Sequence, residues 1–445
     1  MMKTNGVLRL ATLMLGAGLI ALPVAAPAQK NKDAKEQPPA PLKLSDAFRK
    51  AAEPAQKALG EKNYTVAEPL VAQMEQLAKS EDEVYLAQVF RFRVVEGSLV
   101  QRAAGNQAVY IQGEGALVGP LDALIANPKL DKANLPAFLY KRGQIEYSAK
   151  RYKEAITFFE RARDAGSTEQ GLPLNIASAK AEMGDAAGSV RDIRVAIDRE
   201  KAAGRQADQA WYRYALGQLN KAKQYDIWKE WARLYLADYP SRKNWRAVIM
   251  DYRFNTGVTA ALDKRMKIDL WRLLRINKAL ADQIDYTELA EELYDVGLGV
   301  EAKAVIDEGR AAGKIPAGFA PANSLYAEAQ RQIATDGPLD AAAKRAAAAP
   351  NGKVAAATGD GYLGAGDYAK AIEMYKMALA KGSVTVDDVT MHLAIAQAMT
   401  GDKAAAKATF AQIKATPRSD IAGFWTTWLD QAGPTVDDSA AGAGN

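Results

Sequence analysis

The sequence contains no cysteine and a single histidine in 445 residues. The first absence excludes disulfides, thiolate zinc sites, iron–sulfur clusters and cysteine nucleophiles; the second excludes multi-histidine metal centres. Lys and Arg number 58 against 53 Asp and Glu, a formal charge of +5. That surplus is too small for a nucleic-acid binder relying on bulk electrostatics, so nucleic acid is not an expected partner. Neither a Walker-type phosphate loop nor a G-x-S-x-G elbow occurs. Apart from residues 10–22, no stretch approaches the ~20 apolar residues that cross a bilayer. What remains is ordinary for a folded chain, with 49% hydrophobic and 25% charged residues.

The first 28 residues read as a secretory signal. Lys3 and Arg9 give the positive start, residues 10–22 the apolar run, Pro23 its break, and Ala26-Pro27-Ala28 a small-x-small cleavage site. Cleavage after Ala28 leaves a periplasmic protein of charge +3, because the segment holds two bases and no acid (5 − 2 = 3). Residues 29–42 read as a charged, proline-ended linker and residues 432–445 as a disordered tail. Everything in 43–431 reads helical: alanine, leucine, lysine and glutamate dominate, broken by recurrent Gly-Asp steps. Val384-Thr385-Val386 is the nearest approach to a strand, with Asp387 placed to cap a helix.

The breaks repeat. Residues 354–382 place Gly359, Tyr368, Ala371, Tyr375 and Ala378 at the offsets occupied in 137–165 by Gly143, Tyr152, Ala155, Phe159 and Ala162. Weaker copies give anchors at Tyr64, Ala186, Tyr225, Gly299 and Lys403, with two more interpolated near Gln107 and Leu339 and a degenerate hairpin over residues 245–278. This pattern resembles the tetratricopeptide repeat (TPR), and the expected fold is all-α: a right-handed superhelical solenoid of about ten antiparallel helix hairpins. Physically, one hairpin cannot bury both apolar faces, and stacking makes a continuous core. Phe424, Trp425, Trp428 and Leu429 are expected to form a closing helix over the last repeat.

The resemblance implies protein–protein binding along a groove lined by the first helix of each hairpin. Carrying its register over selects Tyr140, Gln144, Tyr147 and Ser148, then Arg213, Asn220 and Lys221, then Thr287, Glu291, Tyr294 and Asp295. Residues 211–278 hold five of the seven tryptophans and 15 Lys or Arg against 6 Asp or Glu, a basic aromatic segment suited to acidic peptides or anionic glycans. The tryptophans individually read as core filling, whereas the charge asks for another explanation.

Three features invite chemistry and are set aside on context. Gly359-Asp360-Gly361-Tyr362-Leu363-Gly364 spells G-x-G-x-x-G, but no strand precedes it. His392 lies in a repeat helix, where a solvated or core-edge histidine is the ordinary outcome. The acid runs Glu81-Asp82-Glu83, Glu291-Glu292 and Asp387-Asp388 suit helix starts and exposed faces. The resulting expectation is a non-enzymatic periplasmic scaffold that holds an extended peptide or partner protein in cell-envelope assembly, without cofactor, metal or catalytic residue. The alternative is an enzyme or accessory subunit acting on anionic envelope polysaccharide or peptidoglycan. Some lytic transglycosylases also carry a long α-superhelix, but their Glu-Ser pair is absent from this sequence.

Overall fold

A computed structural model describes residues 42–431 other than Thr256. The signal at 1–28, most of the linker and the tail lie outside the described residues. Among the described residues there are helices and turns but no β-strand. The chain divides into two compact units at residues 202/203.

The first unit holds α1 (Asp46–Gly60), α2 (Tyr64–Leu77), α3 (Glu81–Ala103), α4 (Gln107–Gly113), α5 (Val118–Ala126), α6 (Leu135–Ser148), α7 (Tyr152–Asp164), α8 (Leu172–Glu182) and α9 (Ala186–Ala202). Each of these helices packs on a neighbour in sequence, as stacked hairpins require, with α5 set between α3 and α6. The second unit opens with α10 (Gln209–Lys221), α11 (Tyr225–Asp238), α12 (Arg242–Asn255), α13 (Lys264–Ile276), α14 (Gln283–Asp295) and α15 (Gly299–Ala311). It continues with α16 (Ala320–Asp336), α17 (Leu339–Ala348), α18 (Lys353–Gly364), α19 (Tyr368–Lys381), α20 (Val386–Met399), α21 (Lys403–Phe410) and α22 (Arg418–Leu429). The fold is thus the all-α, TPR-like array of hairpins that the repeats imply.

All seven periodic anchors and both interpolated ones are the first residue of a helix. The reason is local. Two residues before each of the seven, the backbone turns left-handed, at Lys62, Lys150, Gly184, Lys223, Gly297, Gly366 and Gly401. Where Gly-Asp fills the turn, glycine takes the positive φ and aspartate caps the next helix. The Asp185, Asp367 and Asp402 carboxylates accept the backbone N–H of Gly188, Lys370 and Ala405 at 2.8, 3.3 and 3.0 Å. Asp387, by contrast, lies within the first turn of α20, which Thr385 precedes as N-cap. Glu83 completes a capping box with Ser80, as its acid run suggests.

Inside the two clearest hairpins the matched residues touch. A Cβ on Gly143 would sit 2.6 Å from the Phe159 ring, and one on Gly359 would sit 2.7 Å from Tyr375. The small residue of one helix therefore makes room for the aromatic of its partner. The lysine-bearing turns carry strain that glycine would remove. Lys150, at φ 60° and exposed, is the simplest case. Lys150→Gly is expected to stabilise the first unit by about 1 kcal/mol, read as a higher urea midpoint for the loss of helix. A lower midpoint would show that the turn is not strained.

The Gly-rich run lies in α18, and its three glycines are points of close approach. Gly359 abuts Tyr375, Gly361 abuts Leu339, and Gly364 lies against the backbone of Glu301 on α15. A strand–loop–helix phosphate cradle is not formed.

One feature departs from a stack in which each repeat touches only its neighbours. The closing helix α22 packs on α20 and α21 as expected, but it also packs on α11 and α13 of the same unit. Ile421, Phe424, Trp425 and Leu429 are all buried there. The second unit therefore turns back on itself, and α13 becomes its hub.

Candidate functional site

Helix α13 is buried from Ile268 to Leu274, yet it carries Arg265, Asp269 and Arg272 at i, i+4 and i+7, which puts three charges on one face. Charges so placed must find partners, because an unpaired buried ion costs several kcal/mol. The partners come from four other helices. Asp269, at 0% exposure, contacts Arg272 Nη1 at 3.0 Å and Arg418 Nη1 at 3.1 Å. Its backbone carbonyl accepts the Trp425 indole N–H at 3.2 Å. Arg272 grips both oxygens of Glu301, at 3.0 and 2.5 Å. Arg265 Nη1 lies 2.7 Å from Asp360 Oδ2, while Asp360 Oδ1 accepts the Tyr375 hydroxyl at 2.8 Å.

His392, the sole histidine, sits between the two aspartates. Its Nδ1 is 2.7 Å from Asp360 Oδ1, and its Nε2 is 3.4 Å from Asp269 Oδ1, an ion-pair contact rather than an aligned hydrogen bond. The ring is 2% exposed, so it is neither solvated nor at the core edge as the sequence suggested. Burial works against its charge, but the Asp360 and Asp269 carboxylates outweigh that and push its pKa up to about 9. The same pairing, beside Arg265, Arg272 and Arg418, holds Asp360 and Asp269 below the usual carboxylate range despite burial. At neutral pH the imidazole is a cation with no free lone pair. Sealed from solvent and flanked by a carboxylate on each side, the ring works as part of a charge clamp.

A second group of polar contacts fixes the start of α22. Lys229 Nζ on α11 meets Asp420 Oδ2 at 2.9 Å, the Tyr252 hydroxyl on α12 donates to the same oxygen at 3.3 Å, and Arg418 Nη2 reaches Asp388 Oδ1 at 2.5 Å. Tyr252 also meets the Phe424 ring edge-on, with centroids 5.2 Å apart.

These pairs answer the charge question raised by residues 211–278. Trp211, Trp228, Trp231, Trp245 and Trp271 are all buried, as core filling requires. The basic surplus is spent inside the unit: Lys229, Arg246, Arg253, Lys264, Arg265, Arg272, Arg275 and Lys278 reach Asp420, Asp285, Glu292, Asp295, Asp360, Glu301 and Glu308, all outside the segment. Much of what looked like a basic binding surface is half of an internal set of ion pairs.

The groove residues selected from the repeat register lie on α6, α10 and α14. Tyr140 and Gln144 on α6 are buried, and the Asn175 amide of α8 donates to the Tyr140 hydroxyl at 2.9 Å. Tyr147 is half-buried, edge-on to Tyr152 with centroids 5.5 Å apart. On α10, Arg213 and Lys221 are exposed, while the Asn220 amide donates to the Asp251 carboxylate at 3.3 Å. On α14, Glu291 is exposed, Tyr294 half-buried, Thr287 bonded to the Gln283 carbonyl and Asp295 paired with Lys264. Helices α11 to α13 separate α10 from α14 in chain order. Sequence reasoning missed Asp269, Arg272, Asp360 and Arg418. The signal that could have found the first two is charge inside the apolar run Ile268-Asp269-Leu270-Trp271-Arg272-Leu273-Leu274.

No family model matches the chain, and no curated protein is similar to it. Among solved structures it is similar to a chain of "Structure of Naa15/Naa10 bound to HypK-THB", at 12% identity, covering 84% of this chain and 68% of that one. The TM-score is 0.22, at which the likeness carries no argument about function.

Proposed function

We propose that the chain is a non-enzymatic binding scaffold of the periplasm, holding a partner protein or an extended peptide in a cell-envelope assembly. The observation that carries this reading is the seat of α22. Residues from α11, α12, α13 and α20 grip the closing helix by placed charges and an aromatic contact. That is how helix arrays recognise partner segments, here acting on a segment of the same chain. The periplasmic part of the reading rests on the signal-like residues 1–28, and mass spectrometry of the mature N-terminus should find Gln29 first.

The exposed Arg213 and Lys221 on α10 favour an acidic partner surface. In-cell crosslinking identifies the partner, and its affinity is then measured with purified components. Arg213→Glu with Lys221→Glu is expected to weaken that complex about ten-fold or more, mainly through slower association, with circular dichroism unchanged. Unchanged affinity removes α10 from the interface. Saturable binding or turnover of an anionic glycan, lost in Glu291→Gln, would replace the scaffold reading with the polysaccharide one.

A further inference from the structure

In the first unit, the starts of α1 and α3 bound a cleft of about 520 Å³. Three bases line it, Lys43, Arg49 and Lys79, together with Ser45 and Ser80, which cap the two helices. Glu83 lines it too, at 3% exposure. That carboxylate is the nearest candidate to neutralise the bases, but its oxygens are spent on the chain itself. Oε1 accepts the Ser45 N–H at 2.8 Å, and Oε2 accepts those of Lys79 and Ser80 at 2.9 and 3.1 Å. The Ser45 hydroxyl, with those N–H groups, holds the Glu83 pKa at about 2, so it is an anion already matched by donors. The neighbouring Asp82 is taken by the Lys43 N–H at 2.8 Å and by Lys129 Nζ at 3.0 Å. Arg49 Nε donates to the Leu44 carbonyl at 3.2 Å, which leaves both Nη groups. Among the described residues, none of the three bases ends in an ion pair. At the hub of the second unit, by contrast, Arg272 and Arg418 both close on Asp269. Three bases against the one carboxylate leave a surplus of two positive charges around one opening (3 − 1 = 2).

We infer that this cleft binds a phosphoryl group, presented by a soluble phosphate or by a lipid headgroup. Charge and shape choose the class. A phosphate monoester carries nearly two negative charges at neutral pH and three terminal oxygens. It matches the surplus and offers one oxygen to each base, whereas a carboxylate brings a single charge and two oxygens. Arg49 adds a planar fork of donors, the geometry that suits phosphate oxygens. Ser80 Oγ accepts the Glu83 N–H at 3.2 Å, so its own proton is available to a further acceptor. The volume falls within the roughly 300–1,000 Å³ of small-molecule sites, which leaves room for whatever the phosphate is attached to. The site does not depend on the scaffold reading, which rests on the seat of α22 in the second unit.

Two probes on the full chain separate the sources. Inorganic phosphate is titrated in by calorimetry, and co-sedimentation uses phosphatidylcholine vesicles holding about one-fifth phosphatidic acid. Phosphate binding without vesicle binding assigns a soluble phosphate; vesicle binding, with or without it, assigns the headgroup. In either case Lys43→Gln with Lys79→Gln should weaken binding about ten-fold or more. Circular dichroism should stay unchanged, because neither ammonium is bonded within the fold. Lys57→Gln with Lys153→Gln removes the same charge from exposed positions of the same unit outside the cleft, and should change binding less than about two-fold. Failure of both probes to bind overturns the site, as does an equal loss in the two double variants. Acetate binding as tightly as phosphate would overturn the phosphoryl assignment.

Discussion

Asp269→Asn is expected to lower the stability of the second unit by about 3–5 kcal/mol, the range for removing one partner of a buried ion cluster. The side chain is 0% exposed and faces Arg272, Arg418 and His392 at 3.0, 3.1 and 3.4 Å. Asparagine preserves the shape but leaves three cations in a closed interior without the carboxylate they share. Glu301 can still hold Arg272, and Asp360 can still hold His392. Arg418 retains Asp388, with Asp263 at 3.7 Å, so its hold on α13 is the contact that fails. The measurement is unusually clean because all seven tryptophans lie beyond residue 203. Tryptophan fluorescence against urea therefore reports the second unit alone, and far-ultraviolet circular dichroism reports both. A fluorescence midpoint corresponding to less than about 1 kcal/mol of loss would show that the hub holds nothing together.

The second large effect is set by pH. Folded His392 has a pKa of about 9, against 6.5 for the unperturbed group. The folded state therefore holds this proton more tightly than the unfolded one. Its contribution is present in full below about pH 6.5, drains as pH rises, and is gone above about pH 9. A shift of this size corresponds to roughly 3 kcal/mol. The urea midpoint followed by tryptophan fluorescence should thus fall between about pH 6 and about pH 9.5, and should fall much less in His392→Gln, which has no proton to lose. Asp269 and Asp360 act with the opposite sign: their lowered pKa values give stability that disappears as the solution becomes acidic. A fluorescence midpoint equally pH-dependent in the wild type and His392→Gln would assign the alkaline loss to other groups.

The hairpins were readable because their determinants are local. Gly366-Asp367-Tyr368 contains its own left-handed turn, cap and packing aromatic, and the pairing of Gly359 with Tyr375 spans one hairpin. The faint copies hid for a local reason too. Ahead of Tyr64 and Tyr225, Lys62 and Lys223 occupy turns where glycine would have announced the break, so the backbone geometry repeats while the residue type does not. The hub was invisible because its determinants are distant. Asp269 meets Arg418 across 149 positions, and Lys229 meets Asp420 across 191. No periodicity encodes such pairings, and a basic stretch at 211–278 looks the same whether its charges meet solvent or acids elsewhere in the chain. The burial of Tyr140 and Gln144 was hidden for a related reason: the repeat register marks a face but does not say what packs over it.

The position of α22 has a consequence for how the protein is made. In the first unit the side-chain bonds are local by comparison, Asn127 reaching Gln88 across 39 positions and Lys129 reaching Asp82 across 47, so each hairpin can settle soon after it emerges from the ribosome or a translocation channel. The second unit has no such freedom, because the cation that completes its central carboxylate arrives with Arg418, almost the last part of the helical array to be delivered. A product cut short before that residue would carry an intact first half and a second half with its charges stranded. The closing helix thus doubles as a completeness check, distinguishing a finished polypeptide from a fragment before either meets the quality-control proteases.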